Sequence, residues 1–181
     1  MNCRSSLGTT GLCSIVCLFL ATSGGCSKRS TGREAFMLNM YFNLYNYAGT
    51  HNGWFPQSER GATAALQKLY PEYCKGAELA GLTGDVSSAL RILSAGQNLT
   101  NGLCSWKYFQ GFSTNDEGGI AILWESRAGV LINGATDPSG GHAVLFLDGH
   151  REQIAASNWP HFLLQQEKLR DAVLAKRKGN T

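Results

Sequence analysis

The side chains best suited to chemistry gather late in the chain: His142, Asp148, His150 and His161. Histidine and carboxylate are donors that zinc accepts, and the same pair can move protons in acid–base catalysis. Either use requires the groups to converge on one point, and the spacing argues against that. Residues 142–147 and 150–154 read as two strands joined at Asp148-Gly149. Asp-Gly favours a tight hairpin, because a type I′ turn needs φ > 0 at both central residues. A two-residue turn pairs Leu147 with His150 and Leu145 with Glu152. His142 and His150 then stand about five residues apart along the ladder, at ~3.3 Å each, too far to share an ion. Asp148 is explained by the turn itself. The G-x-S-x-G, H-E-x-x-H and phosphate-loop patterns do not occur in the sequence. The chain therefore reads as non-enzymatic, with no catalytic residue, metal ligand or cofactor assigned.

Cysteine is the other reactive side chain, and its count depends on the N-terminus. Residues 1–25 carry Arg4, then an apolar run over 11–21, then the small polar Thr22-Ser23-Gly24-Gly25. This is the three-part layout of a secretory signal, and the run falls short of the ~20 apolar residues that span a bilayer. Ser23-Gly24-Gly25-Cys26 resembles a bacterial lipobox, with Ser23 at the usual aliphatic position. That reading makes Cys26 the lipid-attachment residue, at about 0.8 kcal/mol per buried CH₂. Ordinary cleavage near Gly25 and an uncleaved anchor are the other two readings. Of the six cysteines, Cys3, Cys13 and Cys17 leave with the signal, so Cys74 and Cys104 remain. In an oxidising compartment they can form one disulfide, contributing about 3–4 kcal/mol; two buried, unpaired thiols are the equal alternative. A nucleophilic Cys104–His pair is disfavoured, because a cysteine in that compartment is more often half of a disulfide.

The elements that must position these residues follow from pattern. The 181-residue chain is 43% hydrophobic and 16% charged, which suits one globular domain and excludes disorder. A formal charge of +3 without a long basic run is too weak a footprint for nucleic acid. Residues 26–32 form a polar tether. Over 33–48, Met37, Met40/Tyr41, Leu44 and Tyr47/Ala48 recur at helical spacing. Phe36, Phe42 and Tyr45 fall elsewhere on that helix, which predicts a largely buried rod. Shorter helices are expected over 62–69 and 85–95, the second with Leu90 and Leu93 inward. Strands follow near Trp106–Phe109 and over 120–126, with 129–132 continuing or pairing with the latter. Asn158-Trp159-Pro160 opens a last helix. Its end carries Lys176, Arg177 and Lys178, read as a solvated, dipole-matched terminus. Helices, then antiparallel strands, then a helix make an α+β fold with the first helix packed on a small sheet.

Two stretches carry a resemblance. The segment 36–56, ending AGTHNGWFP, is similar to the helix-to-loop segment of prepilin-like proteins. Residues 140–150, Gly140-Gly141-His-Ala-Val-Leu-Phe-Leu-Asp148-Gly149-His150, resemble that family's C-terminal signature, the processing-associated H-x9-DG motif. Leu69-Tyr70-Pro71-Glu72-Tyr73, Ser105–Tyr108 and Leu123-Trp124-Glu125 agree in order between them. The resemblance implies a pilin-like domain over 33–181, related to type II secretion pseudopilins. It also implies a place in the cell envelope, facing the periplasm or exterior, with partners in a secretion or pilus-like assembly. Calcium binding in a late loop is implied too, and Asn115, Asp116 and Glu117 offer oxygen ligands there, although without the alternating acidic spacing. Two departures stand out. A lipoprotein-type signal replaces the prepilin leader, and Pro138 stands ten positions before Asp148, where the signature has histidine.

Two rival functions follow from the same residues. One is a module that captures a sugar or peptide on Trp54, Trp106, Trp124 or Trp159. The other, more remote, is a metal-dependent hydrolase built on the His/Asp cluster.

Overall fold

The computed structural model describes residues 32–81, 85–129, 138 and 140–179. The signal, Cys26, the 26–31 part of the tether, and 130–132 of the expected strand extension lie outside the described residues.

Helix α1 runs Gly32–Thr50, so the helix takes in Gly32 from the expected tether. Met37, Met40, Leu44, Tyr47 and Ala48 are buried along one stripe, as the three- and four-residue spacing requires. The rod is not buried all round: Phe42 is 51% exposed. The helix stops where Asn52 and Gly53 both take positive φ, 53° and 79°, and the Gly53 N–H donates to Ala48 O at 2.8 Å.

Three short helices follow: α2 Ala62–Gln67, α3 Gly76–Ala80 and α4 Val86–Ser94. Helix α3 was not expected, since five residues bounded by glycines carry too little periodicity to read. Asp85 caps α4 by accepting from the Ser88 N–H at 3.0 Å. Leu93 is buried as expected, but Leu90 is 40% exposed. The reason lies in α3: a Cβ on Gly76 would stand 2.7 Å from Leu90 Cδ2 and 2.9 Å from Leu93 Cδ1. Both leucines therefore lean on a bare glycine, and Leu90 sits at the rim of that contact.

Strands β1 Trp106–Tyr108, β2 Ala121–Glu125, β3 His142–Phe146 and β4 Arg151–Ile154 form one antiparallel sheet in the order β1-β2-β3-β4. Leu123 pairs with Leu145 and Trp124 with Val144, but Ala121 pairs with Phe146, so β2 bulges between Ala121 and Leu123. The extra residue changes the phase: Ala121 and Trp124, three apart, share a face. That face also holds Val144, Phe146 and Ile154 and is covered by Trp159, Phe162 and Leu163 of helix α5, Trp159–Gly179. The opposite face, with Leu123, Ala143 and Leu145, joins the buried residues of α1–α4 in the larger core. A bulge strands a backbone group, and here Gln166 meets it. Its Oε1 accepts the Ala121 N–H at 2.8 Å and its Nε2 donates to Gly119 O at 3.3 Å.

The expected hairpin register is corrected by one residue. Leu145 pairs with Arg151 and Val144 with Glu152. Phe146 N–H donates to His150 O and Gly149 N–H donates back to Phe146 O, each at 3.0 Å. Leu147, Asp148 and Gly149 thus form a three-residue loop, a type I turn closed by Gly149 at φ 86°. Leu147 leaves the β4 ladder because its N–H donates to Ile120 O at 2.9 Å and its side chain is buried. A one-residue slip exchanges the two faces of β4. The fold is α+β: a long first helix, a four-stranded antiparallel sheet and a C-terminal helix. Among the described residues no helix is long and apolar enough to cross a membrane.

Candidate functional site

The segment 140–150 on which the resemblance rests becomes β3 and the turn after it. Gly140, at φ 66°, precedes Gly141, whose carbonyl accepts the Gly129 N–H at 2.9 Å. At the far end, Asp148 Oδ1 accepts the His150 N–H at 3.0 Å, and the His150 imidazole Nδ1 lies 2.5 Å from the same oxygen. The imidazole stacks on Phe146 at 3.9 Å. Burial opposes ionisation of Asp148. The His150 N–H, its imidazole bond and its charge outweigh that and hold the carboxyl below the ordinary aspartate value.

This turn sits on α1. Gly149 lies against the Tyr41 ring, and the Tyr45 hydroxyl donates to Leu147 O. Burial, then the neighbouring Tyr41, then the Asp148 charge push the Tyr45 phenol up to about 12. Gly118 closes the other side, where a Cβ would stand 2.9 Å from Asp148 Cβ.

Asp148 and His150 meet, but His142 does not join them. It stacks on Trp159 at 3.9 Å, and its Nδ1 lies 3.1 Å from Glu125 O. His161 is exposed on α5. Among the described residues no group of three His, Cys, Asp or Glu side chains could hold a metal ion. His142 and His161 therefore do not converge with Asp148 and His150 on one point.

Asp116 is engaged by another charge. It accepts from the Ser113 N–H and hydroxyl at 2.6 and 3.0 Å and from the Arg177 guanidinium. Arg177 also donates to Gly111 O and lies over the Trp54 ring at 4.7 Å. Arg177 is thus no solvated helix end, as the terminal basic run suggested. A bidentate-capable guanidinium suits this carboxylate–carbonyl–aromatic niche better than lysine would. Nothing in the local sequence signals the pairing, because the partners lie 61 residues apart.

Cys74 and Cys104 are free thiols, buried in one core. Burial, then the charges of Glu78 and Cys104, raise the Cys74 thiol to about 12. Burial likewise raises Cys104. Of the tryptophans, Trp106 and Trp124 are buried and Trp54 lies under Arg177. Trp124 and Trp159 meet edge-on at 5.9 Å.

The fold is α+β, and its 140–150 segment is a packing element between sheet and helix. No protein-family model matches the chain, and neither does any curated protein or solved structure.

Proposed function

We propose that this chain is a non-enzymatic, pseudopilin-like module, anchored to a membrane through lipid on Cys26 and facing the periplasm or exterior. It acts by protein contact beside a type II secretion or pilus-like assembly. The observation that carries the reading is the seat of the Leu147-Asp148-Gly149 turn on Tyr41 and Tyr45 of α1. The segment that carries the resemblance joins an N-terminal helix to an antiparallel meander, and this packing role supports the scaffold reading. The apolar run and the Gly25-Cys26 junction support the anchor.

The test is fractionation of cells expressing the full chain. Cys26→Ala, or globomycin treatment, releases the protein from membranes or stalls its maturation. Membrane association unchanged under both treatments removes the anchor. In-cell cross-linking followed by mass spectrometry tests the assembly, and recovery of no envelope protein removes that part.

A further inference from the structure

Beside the edge strand β1 lies a cleft of about 250 Å³ between that strand and the segment entering α2. β1 pairs with β2 alone. The Ser126 N–H donates to Ser105 O and the Phe109 N–H to Ile122 O. By the alternation of an antiparallel ladder, the backbone groups of Trp106 and Tyr108 therefore point away from β2, toward the outer edge.

The side chains around this cleft are donors. Lys107 is exposed at the middle of β1, opposite Trp124. Arg60 reaches in from the α2 side, with one guanidinium nitrogen fixed by Asn98 Oδ1 at 2.7 Å. Asn101 accepts the Thr63 hydroxyl through Oδ1 at 2.5 Å, which leaves its amide N–H groups for another acceptor. Phe109 and Trp124 form an apolar wall, in edge contact at 4.8 Å; Arg170 covers Phe109 at 5.0 Å and Trp124 is buried, so the wall meets the cleft by its edge. Among the described residues that line the cleft, none carries a carboxylate.

Two cations and an amide donor without a carboxylate call for an oxyanion. The aromatic wall and the Asn101–Thr63 pair call for a body with an apolar face and hydroxyl groups. We propose that this cleft binds a single uronic-acid ring: its carboxylate between Arg60 and Lys107, its hydroxyls toward Asn101 and Thr63, its C–H groups against the edge of the Phe109–Trp124 wall. The same ring can arrive as a free monosaccharide or as the end of an acidic polysaccharide. This goes beyond the scaffold reading and does not rest on it, so release from or retention on the membrane leaves it standing.

The experiment is titration calorimetry, with saturation-transfer NMR, on the full chain in detergent. The probes are D-glucuronate, D-glucose, acetate and trigalacturonate. Glucuronate is expected to bind saturably, at least about tenfold more tightly than glucose or acetate. Its affinity falls as salt rises. Arg60→Gln and Lys107→Gln each weaken it about tenfold, while Phe42→Ala on α1 leaves it unchanged. Both basic residues are exposed, and circular dichroism checks that the variants stay folded. Trigalacturonate binding as well as the monomer assigns a polysaccharide end, and its exclusion assigns the free sugar. The proposal is overturned by any of three results: no saturable glucuronate binding, glucose or acetate binding equally well, or wild-type affinity in both charge variants.

Discussion

Gly149 brings its α-carbon against the ring of Tyr41: a Cβ at that position would stand 2.6 Å from Tyr41 Cζ and 2.7 Å from Cε2. The same residue holds φ at 86°. One glycine therefore answers two demands, a left-handed backbone and a close approach between hairpin and helix. Gly149→Ala is expected to cost about 2–4 kcal/mol of stability, backbone strain plus overpacking. In a Tyr41→Ala background the added cost of Gly149→Ala falls to about 1 kcal/mol, the backbone share alone. Denaturant melts of the four proteins in the cycle measure this, and additive costs would show that the ring contact carries no energy.

The same turn makes a pH prediction. The folded state holds the Asp148 carboxyl below its ordinary value, so the unfolded chain binds that proton more readily. The stabilisation is complete above the unfolded aspartate pKa of about 4 and is lost as pH falls through the lower folded value. The protection of the His150 amide against exchange, relative to its intrinsic rate at each pH, should fall below about pH 4. Asp148→Asn should abolish that acid step; its persistence in the variant would assign the step to another carboxyl.

The buried thiols predict the opposite end of the scale. The folded state raises Cys74 to about 12 and raises Cys104, so their neutral forms are favoured. That stability is present below the unfolded thiol pKa of about 8.5 and is lost as pH rises through the folded value. Thermal melts should fall between about pH 9 and 12, less so in Cys74→Ala. Iodoacetamide should label both residues slowly in the native protein and rapidly in denaturant, read by peptide mass spectrometry. Resistance to labelling in denaturant without reductant would mean that they are bridged.

Arg177 joins the end of α5 to Asp116, Gly111 and Trp54. Arg177→Ala should cost about 1–3 kcal/mol, since charged hydrogen bonds in a partly buried niche are lost together. Arg177→Lys should recover less than half of that, because an ammonium cannot span carboxylate and carbonyl while stacking on the indole. Chemical denaturation measures the cost, and faster exchange in the last two turns of α5 locates it.

The faces of α1 predict a contrast between neighbours. Leu44 is buried, whereas Phe42 is exposed. Leu44→Ala should cost about 2–5 kcal/mol, and Phe42→Ala about 0.5 kcal/mol or less. Equal losses in denaturant melts would mean that Phe42 is covered in solution.

What local pattern specifies was legible. The stripe Met37, Met40, Leu44, Ala48 predicted the inward face of α1. The presence of a helix after Asp85 and the starts of β3 and α5 were readable, because each depends on residues within one turn or one hairpin. The hairpin at Asp148-Gly149 was legible in place but not in register. Its register depended on Leu147 bonding to Ile120, a residue of another strand's approach.

The sequence by itself determined the α+β order of elements, since periodicity and turn chemistry are local properties of the chain. Only the tertiary structure decided that Gln166 meets the Ala121 bulge across 45 residues and that Arg177 meets Asp116 across 61. It also decided that Phe42 and Leu90 stay outside the core and that donors from Arg60, Asn101 and Lys107 border one cleft. The physical reason is common to all of these. A buried or bulged polar group must find a partner, and a donor becomes part of a site, only through neighbours in space, and distance along the chain does not encode who those neighbours are.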